Sequence, residues 1–292
     1  MRTTEGYLVE ESSMKILLLG NRGQFGTAFE KICRMRGIEC IAPSHSELDV
    51  TQPQKISRAL SAEAPDAVIN STGIIDIGEC ETSPLDAYKV NAQAALSLAE
   101  ATAEKKIALV QTSTHLVFDG KSHQPYTEYD LPSPNTVYAA TKLISEHYAL
   151  TRNPKSYVVR FPTLFGHRRN EKSGFVEKMI TKLIAGDPLR IADDRMDCPT
   201  WSEDAAREVA EIIVSRANFG LYHVANHGAV SYFDFIAKLA KFLNSPSGIE
   251  AAKDKEFIAR PPKPLRLAIS SEKRPALRPW QEALQEYSKI YR

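Results

Sequence analysis

Apolar residues in the first half of the chain come in short runs separated by stretches with helical spacing. Met14–Gly20 (MKILLLG) is a run ending in glycine, the pattern of a strand buried on both faces. From Gln24 to Arg36 the apolar positions Phe25, Ala28, Phe29, Ile32 and Cys33 recur at helical spacing, and Gly37 closes the segment. Ile38–Ala42 is the next strand candidate, Ile56–Ala62 a short helix and Ala67–Asn70 (AVIN) a strand. A long Ala-rich helix is predicted over Leu85–Glu104, a strand over Ile107–Gln111, a helix from about Thr136 to Thr151 and a strand over Tyr157–Phe161. Strands alternating with helices predict right-handed βαβ units and an α/β fold with a doubly wound parallel sheet.

After about Phe165 the alternation loosens. Helices are predicted at Phe175–Ala185, Glu203–Ser215 and Tyr232–Leu243, with short strands at Leu189–Ala192, Leu221–Ala225 and Glu256–Ala259. Arg260–Leu265 (RPPKPL) reads as an extended connector. A final helix near Pro279–Tyr287 docks through Trp280 and Leu284. The expected division is a dinucleotide-binding domain over 1–165, with 1–13 a flexible extension, and a smaller substrate domain over 166–292. A segment near 200–228 is expected to return to the main sheet.

Composition narrows the partners. Thirty-seven basic and thirty-six acidic residues among 292 leave a formal charge of +1, without the basic excess of a nucleic-acid binder. No segment approaches the roughly 18 apolar residues of a membrane span, and Met1–Ser13 lacks the pattern of a signal peptide. Cys33, Cys40, Cys80 and Cys198 are scattered, with no metal-ligand spacing. The expectation is a cytoplasmic protein with reduced thiols, no metal, no nucleic acid and no membrane partner. Association as a homodimer is left open.

Chemistry concentrates at strand ends. Gly20-Asn21-Arg22-Gly23-Gln24-Phe25-Gly26 follows the first strand and opens the first helix. Its glycines permit a tight turn and a close backbone approach to pyrophosphate, and the helix terminus supplies N–H donors. A plain structural turn is the alternative for a glycine triplet alone. At the end of the second strand, Ala42-Pro43-Ser44-His45-Ser46 has no carboxylate to hold a ribose. Ser44, His45 and Arg22 suit a 2′-phosphate, so NADPH is preferred and NADH is the other candidate. Asp49 is either an adenine-side contact or a cap for the helix after it.

Tyr138 and Lys142 are four apart on one helix face. With 11 Tyr in the chain, a Tyr followed by Lys at that spacing arises by chance about once, so position carries the argument. The pair follows the fourth strand, whose end carries Thr112-Ser113-Thr114, and ligands of doubly wound sheets collect at such carboxyl ends. A phenol tuned by a neighbouring ammonium can protonate a carbonyl oxygen as hydride reaches carbon, with a hydroxyl holding that oxygen.

With these pieces the chain resembles the extended short-chain dehydrogenase/reductases (Rossmann folds), and among them the dTDP-4-dehydrorhamnose reductase family. The resemblance runs through GNRGQFG (Gly20–Gly26), ELDV (Glu47–Val50), INSTG (Ile69–Gly73), VNAQAALSLAEA (Val90–Ala101) and STHLVFDG (Ser113–Gly120). It continues through Tyr138/Lys142, VRFPTLFG (Val159–Gly166), CPTWSEDAA (Cys198–Ala206) and GLYHVAN (Gly220–Asn226). It implies NAD(P)H-dependent reduction of a 4-keto group on a nucleotide-linked deoxysugar. Thr114 would position the oxyanion, Tyr138 donate the proton, and Lys142 tune it and contact ribose. Gly23, Gln24 and Phe25 would line the pyrophosphate, Asp49 and Val50 the adenine side. Gly73, Ile74 and Ile75 would pass under the cofactor, with Thr112 flanking it.

Two positions expected near the sugar depart from the family pattern. His115-Leu116 stands where an Asp-Tyr pair is usual, and Thr163 where an aromatic residue is usual. His115 reads as a pocket donor or a capping histidine, and Trp201 as a pocket wall or core filler. Arg168, Arg169, Lys172, Arg190 and Arg195 are candidates for the substrate pyrophosphate or else a solvated surface, with Arg260 and Arg266 behind them. Two other functions stay in view: a sugar epimerase or dehydratase, and a non-catalytic dinucleotide-binding subunit resembling the regulatory partner of methionine adenosyltransferase. A dehydratase of this superfamily would carry Asp-Glu after Thr114, and an epimerase that keeps NAD bound would carry an acidic residue near Ser44.

Overall fold

In a computed structural model of the chain, residues 14–169, 174–257 and 264–291 are described. The leading strand β1 (Lys15–Leu19) turns through the glycine loop into α1 (Gln24–Arg36), and β2 (Glu39–Ile41), α2 (Pro53–Glu63) and β3 (Ala67–Asn70) follow. Short helices α3 (Ile77–Thr82) and α4 (Pro84–Tyr88) lead through a widened turn at Lys89–Gln93 into α5 (Ala94–Glu104). Next come β4 (Ala108–Thr114), α6 (Val137–Arg152), β5 (Ser156–Phe161) and β6 (Leu164–Phe165). The second half contains α7 (Phe175–Ala185), β7 (Leu189–Ala192), β8 (Met196–Asp197), β9 (Thr200–Trp201), α8 (Ser202–Val214) and β10 (Gly220–His223). It closes with β11 (Asn226–His227), β12 (Val230–Ser231), α9 (Tyr232–Leu243), β13 (Ile249–Ala252), β14 (Leu277–Pro279) and α10 (Trp280–Ser288).

The main sheet has six parallel strands in the order β10-β5-β4-β3-β1-β2. Alternation along each strand sends side chains to opposite faces. Ile16 and Leu18 join Ile69, Val110 and Val159 beneath α1 and α8. Leu17 and Leu19 join Val68, Leu109 and Val158 beneath α2, α5 and α6. The strand order reverses between β1 and β3, which opens a crevice at their carboxyl ends. This is the predicted α/β fold with a doubly wound parallel sheet.

Leu221 pairs with Val158 in the outer strand, and Val209 and Ile212 of α8 pack beside Phe29 and Ile32 of α1. A second core gathers Val176, Ile180 and Leu183 of α7, Phe235 and Leu239 of α9, and Trp280, Leu284 and Tyr287 of α10.

Three local expectations need correction. The single helix predicted over Leu85–Glu104 is broken at Lys89–Gln93, where the wider turn directs Asn91 inward. The strand predicted from Glu256 is not formed there, because Asp254–Glu256 is a 3₁₀ turn in which the Lys253 N–H donates to the Glu256 carboxylate. The partner of β7 is β13 instead, in parallel register from Ile249 opposite Leu189. The N-terminal extension, Ile258, Ala259 and most of the proline connector lie outside the described residues.

Candidate active site

The glycine loop divides by what each glycine must avoid. Gly20 has φ +90°, and a Cβ there would meet the Ser71 carbonyl oxygen at 2.4 Å; at Gly26 it would meet the Gly20 carbonyl oxygen at 2.2 Å. The chain itself demands glycine at both positions. At Gly23 the nearest atom to an added Cβ is 3.7 Å away, so nothing in the chain forbids a side chain. Gly23 begins α1, whose first turn has no side-chain cap and no acidic residue. An uncapped helix terminus with a bare backbone beside it fits the pyrophosphate of a dinucleotide. Phe25 is buried against Phe29 and Phe161, and Gln24 donates to the Glu177 carboxylate and the Gly166 carbonyl, so both can offer only backbone here. Arg22 is exposed and donates to the Arg169 carbonyl.

The adenosine side differs from the sequence expectation in one respect. Glu47 folds back so that its carboxylate accepts from the Ser44 N–H and hydroxyl, both at 2.7 Å. These hydrogen bonds hold the Glu47 carboxyl below its ordinary value. A carboxylate therefore does stand at the end of β2, supplied from three residues downstream. Asp49 accepts from the Thr51 N–H and hydroxyl and from the Gln52 amide, organising the turn into α2. Val50 is buried with Leu48 and Ile56 in the core.

On the other side of the crevice, Asn91 holds the loop after β3. It accepts from the Ile74 N–H (2.8 Å) and donates to the Ile74 carbonyl (3.0 Å) and the Thr141 hydroxyl (3.1 Å). A Cβ on Gly73 would sit 2.9 Å from that Asn91 oxygen. Ile74 packs toward Tyr138, while Ile75 is 65% exposed. At the ends of β3 and β4, Asn70 donates to Gln111 and the Thr112 hydroxyl donates to the Asn70 carbonyl.

The proton-transfer candidates converge on α6, whose first turn is capped by Thr136. Tyr138, Lys142 and Glu146 lie on successive turns of one buried face. Burial pushes the Tyr138 phenol up to about 12, with hydrogen bonding from Thr114 opposing it. The expected lowering by a neighbouring ammonium is absent from the chain alone, because burial, Thr114 and the Cys80 thiol set the balance. Burial also pulls Lys142 down to about 8, against the pull of Glu146. Lys142 is 4% exposed, and its ammonium has no hydrogen-bond or ion-pair partner among the described residues. A buried stem whose unpartnered ammonium still meets solvent beside the crevice fits a bound ribose.

One turn further, Glu146 is saturated. Its carboxylate takes a bidentate Arg160 (2.9 and 2.7 Å) and the Ser113 hydroxyl. Behind it, Arg160 reaches His223, whose imidazole burial pushes down to about 4, and the backbone N–H of His223 donates to the Glu128 carboxylate.

The sugar-side candidates separate into two groups. His115 and Thr163 meet at Asp197: His115 Nε2 is 3.3 Å and the Thr163 hydroxyl 2.5 Å from Asp197 Oδ2. Tyr232 donates to the same oxygen at 3.3 Å. Arg195 and Trp201 stand elsewhere. Arg195 is buried and engaged by Asp254 and the Pro264 carbonyl, and Trp201 lies in the second core against Tyr287. Arg190 pairs with Glu256 and Arg169 with Glu30; Arg168 Nε is buried without a partner. Arg266 is exposed, and Lys172 and Arg260 lie outside the described residues. Among the described residues no cluster of three or more His, Cys, Asp or Glu is placed to hold a metal, and no helix is long and apolar enough to cross a membrane.

Residues 14–292 match the family model described as the RmlD substrate binding domain. The chain belongs to that family. Within the extended short-chain dehydrogenase/reductases this is the family of the dTDP-4-dehydrorhamnose reductases. A dTDP-4-dehydrorhamnose reductase of Aggregatibacter actinomycetemcomitans is 31% identical over 76% of this chain and 76% of its own. A crystal structure of a dTDP-4-dehydrorhamnose reductase from Clostridium acetobutylicum superposes with a TM-score of 0.90 at 30% identity, covering 95% of this chain and 99% of that one. Another, from Bacillus anthracis and in complex with NADP, gives a TM-score of 0.90 at 23% identity over 96% and 100%.

Several residues that shape the site of this RmlD-family chain escape a motif reading. Glu146 was open to detection as the residue one turn after Lys142 on the same face. Asn91 sits inside a run that reads as continuous helix, and only the widened turn turns it inward. Asp197 and Tyr232 arrive from beyond residue 190, and no local spacing ties them to His115.

Proposed function

We propose that this chain is an NAD(P)H-dependent reductase of the 4-keto group of a nucleotide-linked, dTDP-type 4-keto-6-deoxysugar. It is an NAD(P)-dependent oxidoreductase acting by nucleotide-sugar keto reduction, as its family membership and reductase relatives support. The observation that carries the finer reading is the convergence of Thr114, Tyr138 and the unpartnered Lys142 at the carboxyl end of β4, beside the uncapped α1.

NADPH is the preferred cofactor and NADH the alternative, with the NADP-bound relative in support. The Gly23–Phe25 backbone holds its pyrophosphate, Lys142 its ribose, and the Gly73–Ile75 loop its underside. When bound, the cofactor supplies the hydride that reaches the carbonyl carbon. Tyr138, kept protonated at neutral pH by burial, gives its proton to the carbonyl oxygen, so C=O becomes CH–OH. The Thr114 hydroxyl donates to that oxygen and fixes its position. A further role for Lys142 is to favour the phenolate left behind, which makes Tyr138 a stronger proton donor in the step.

The test is oxidation of NADPH and NADH by the purified chain against a panel of nucleotide-linked 4-keto-6-deoxysugars. One oxidised cofactor released per alcohol formed supports the reductase and separates it from an epimerase or dehydratase. Cofactor binding with no oxidation across the panel would favour the regulatory-subunit reading.

A further inference from the structure

His115 stands between a catalytic candidate and a buried carboxylate. Its Nδ1 is 3.4 Å from Thr114 Oγ1, and its Nε2 is 3.3 Å from Asp197 Oδ2. His115 is 5%, Thr114 6% and Asp197 1% exposed, so water does not supply these partners. Asp197 is fixed from three further directions, by the Thr163 hydroxyl, the Tyr232 hydroxyl and the Cys198 N–H at 2.7 Å. Burial opposes ionisation of Asp197, yet the His115 ring and these donors outweigh it and keep the carboxyl below its ordinary value.

Counting lone pairs gives the consequence. An ionised carboxylate only accepts, so the His115 nitrogen facing Asp197 carries a proton. The Thr114 oxygen already accepts from the Leu116 N–H at 3.2 Å, which leaves one lone pair and one proton to divide between His115 Nδ1 and the Tyr138 hydroxyl that Thr114 also bonds. When His115 is neutral, its bare Nδ1 is an acceptor and draws the Thr114 proton away from the reaction. When His115 is protonated, Nδ1–H donates to the remaining lone pair, and the Thr114 proton must point elsewhere. The Tyr138 side of Thr114 is where the substrate oxygen is placed by the reading above.

We propose that His115, clamped by Asp197, is a positioning residue that sets the direction in which Thr114 donates, turning the hydroxyl toward the substrate oxygen when the imidazole is charged. The proposal rests on the assignment of Thr114 to that oxygen. The titratable and charged groups one contact away are Tyr232 on α9 and Cys198, both held at Asp197; Tyr138 on α6, which bonds Thr114 and has Cys80 of α3 beside it; and Arg195, 5.9 Å from the Tyr232 ring. Only Asp197 contacts the ring as an ion pair among the described residues.

Two measurements decide it. Nitrogen-15 NMR of the imidazole in the chain alone should show the proton on Nε2, the nitrogen that faces Asp197. In turnover, His115→Phe should lower kcat roughly 10- to 100-fold with NADPH binding unchanged, and remove one ionisation from the kcat pH profile. His115→Asn, which keeps an amide donor near the Nδ1 position, should restore most of kcat without the ionisation. A merely structural histidine would leave the profile unmoved in every variant, and that result overturns the proposal. So does an imidazole that carries its proton on Nδ1 and leaves Nε2 bare, which the NMR shows whether or not any sugar in the panel is reduced.

Discussion

Two charged side chains with buried stems on α6, one turn apart, are treated in opposite ways. Glu146 is closed on every side by Arg160 and Ser113, while the Lys142 ammonium has no partner and is drawn down to about 8. Burying charge is tolerable when it is paired and costly when it is not. The chain thus spends a saturated network to hold β4, β5 and α6 together, and leaves the neighbouring turn unfinished. Under the proposed function, nucleotide and substrate groups would be the partners that finish it.

The comparison can be broken from either side. Tyr138→Phe changes only the front face. Turnover should fall by about 10² to 10⁴ while NADPH binding, read by fluorescence quenching, is retained. Unchanged turnover would remove the phenol from the mechanism.

Glu146→Gln attacks the closed side. It leaves Arg160 buried without its countercharge and should destabilise the fold by about 3 to 5 kcal/mol in denaturant titration. A loss under about 1 kcal/mol would show that the pair is not the clamp described here.

Lys142→Met should do the reverse and stabilise the cofactor-free chain, by on the order of 3 kcal/mol at pH 7, given a lysine held at about 8 rather than 10.5. The sign follows from linkage. Between about pH 8 and 10.5 the unfolded chain binds more protons at this lysine than the folded chain, so wild-type stability rises with pH. The gap to Lys142→Met is therefore full below about pH 8 and closes as pH climbs toward 10.5. A gap that stays constant over this window would contradict an unpartnered ammonium.

The smallest effect belongs to the adenosine side. If Ser44 flanks the ribose, as the proposed function has it, Glu47 sets a carboxylate beside a 2′-phosphate, so Glu47→Gln should raise the ratio of NADPH to NADH affinity by about two- to fivefold. No change would place Glu47 outside the ribose subsite.

Sequence pattern carried the sheet further than the site. Runs such as Lys15–Leu19 and Ala67–Asn70 are strands because every position is buried between helices, and periodicity reports that directly. The glycine loop and the Tyr138/Lys142 pair were legible because one backbone requirement and one helical turn fix their spacing. The carboxylate of Glu47 at Ser44 was missed because the chain turns back over three residues, which strand alternation does not encode. Asn91 was hidden by a widened turn, and Asp197 reaches His115 across 82 positions of sequence through tertiary packing alone.

The most direct test of the central claim is thermal unfolding of wild type, Tyr138→Phe and Lys142→Met with and without NADPH. At about 100 times its dissociation constant the nucleotide should raise the melting temperature of wild type by about 5 °C. Tyr138→Phe should gain the same amount, whereas Lys142→Met should start higher and gain little. Equal gains in all three, from equal starting points, would contradict the claim that the unpaired lysine marks where the cofactor completes the site.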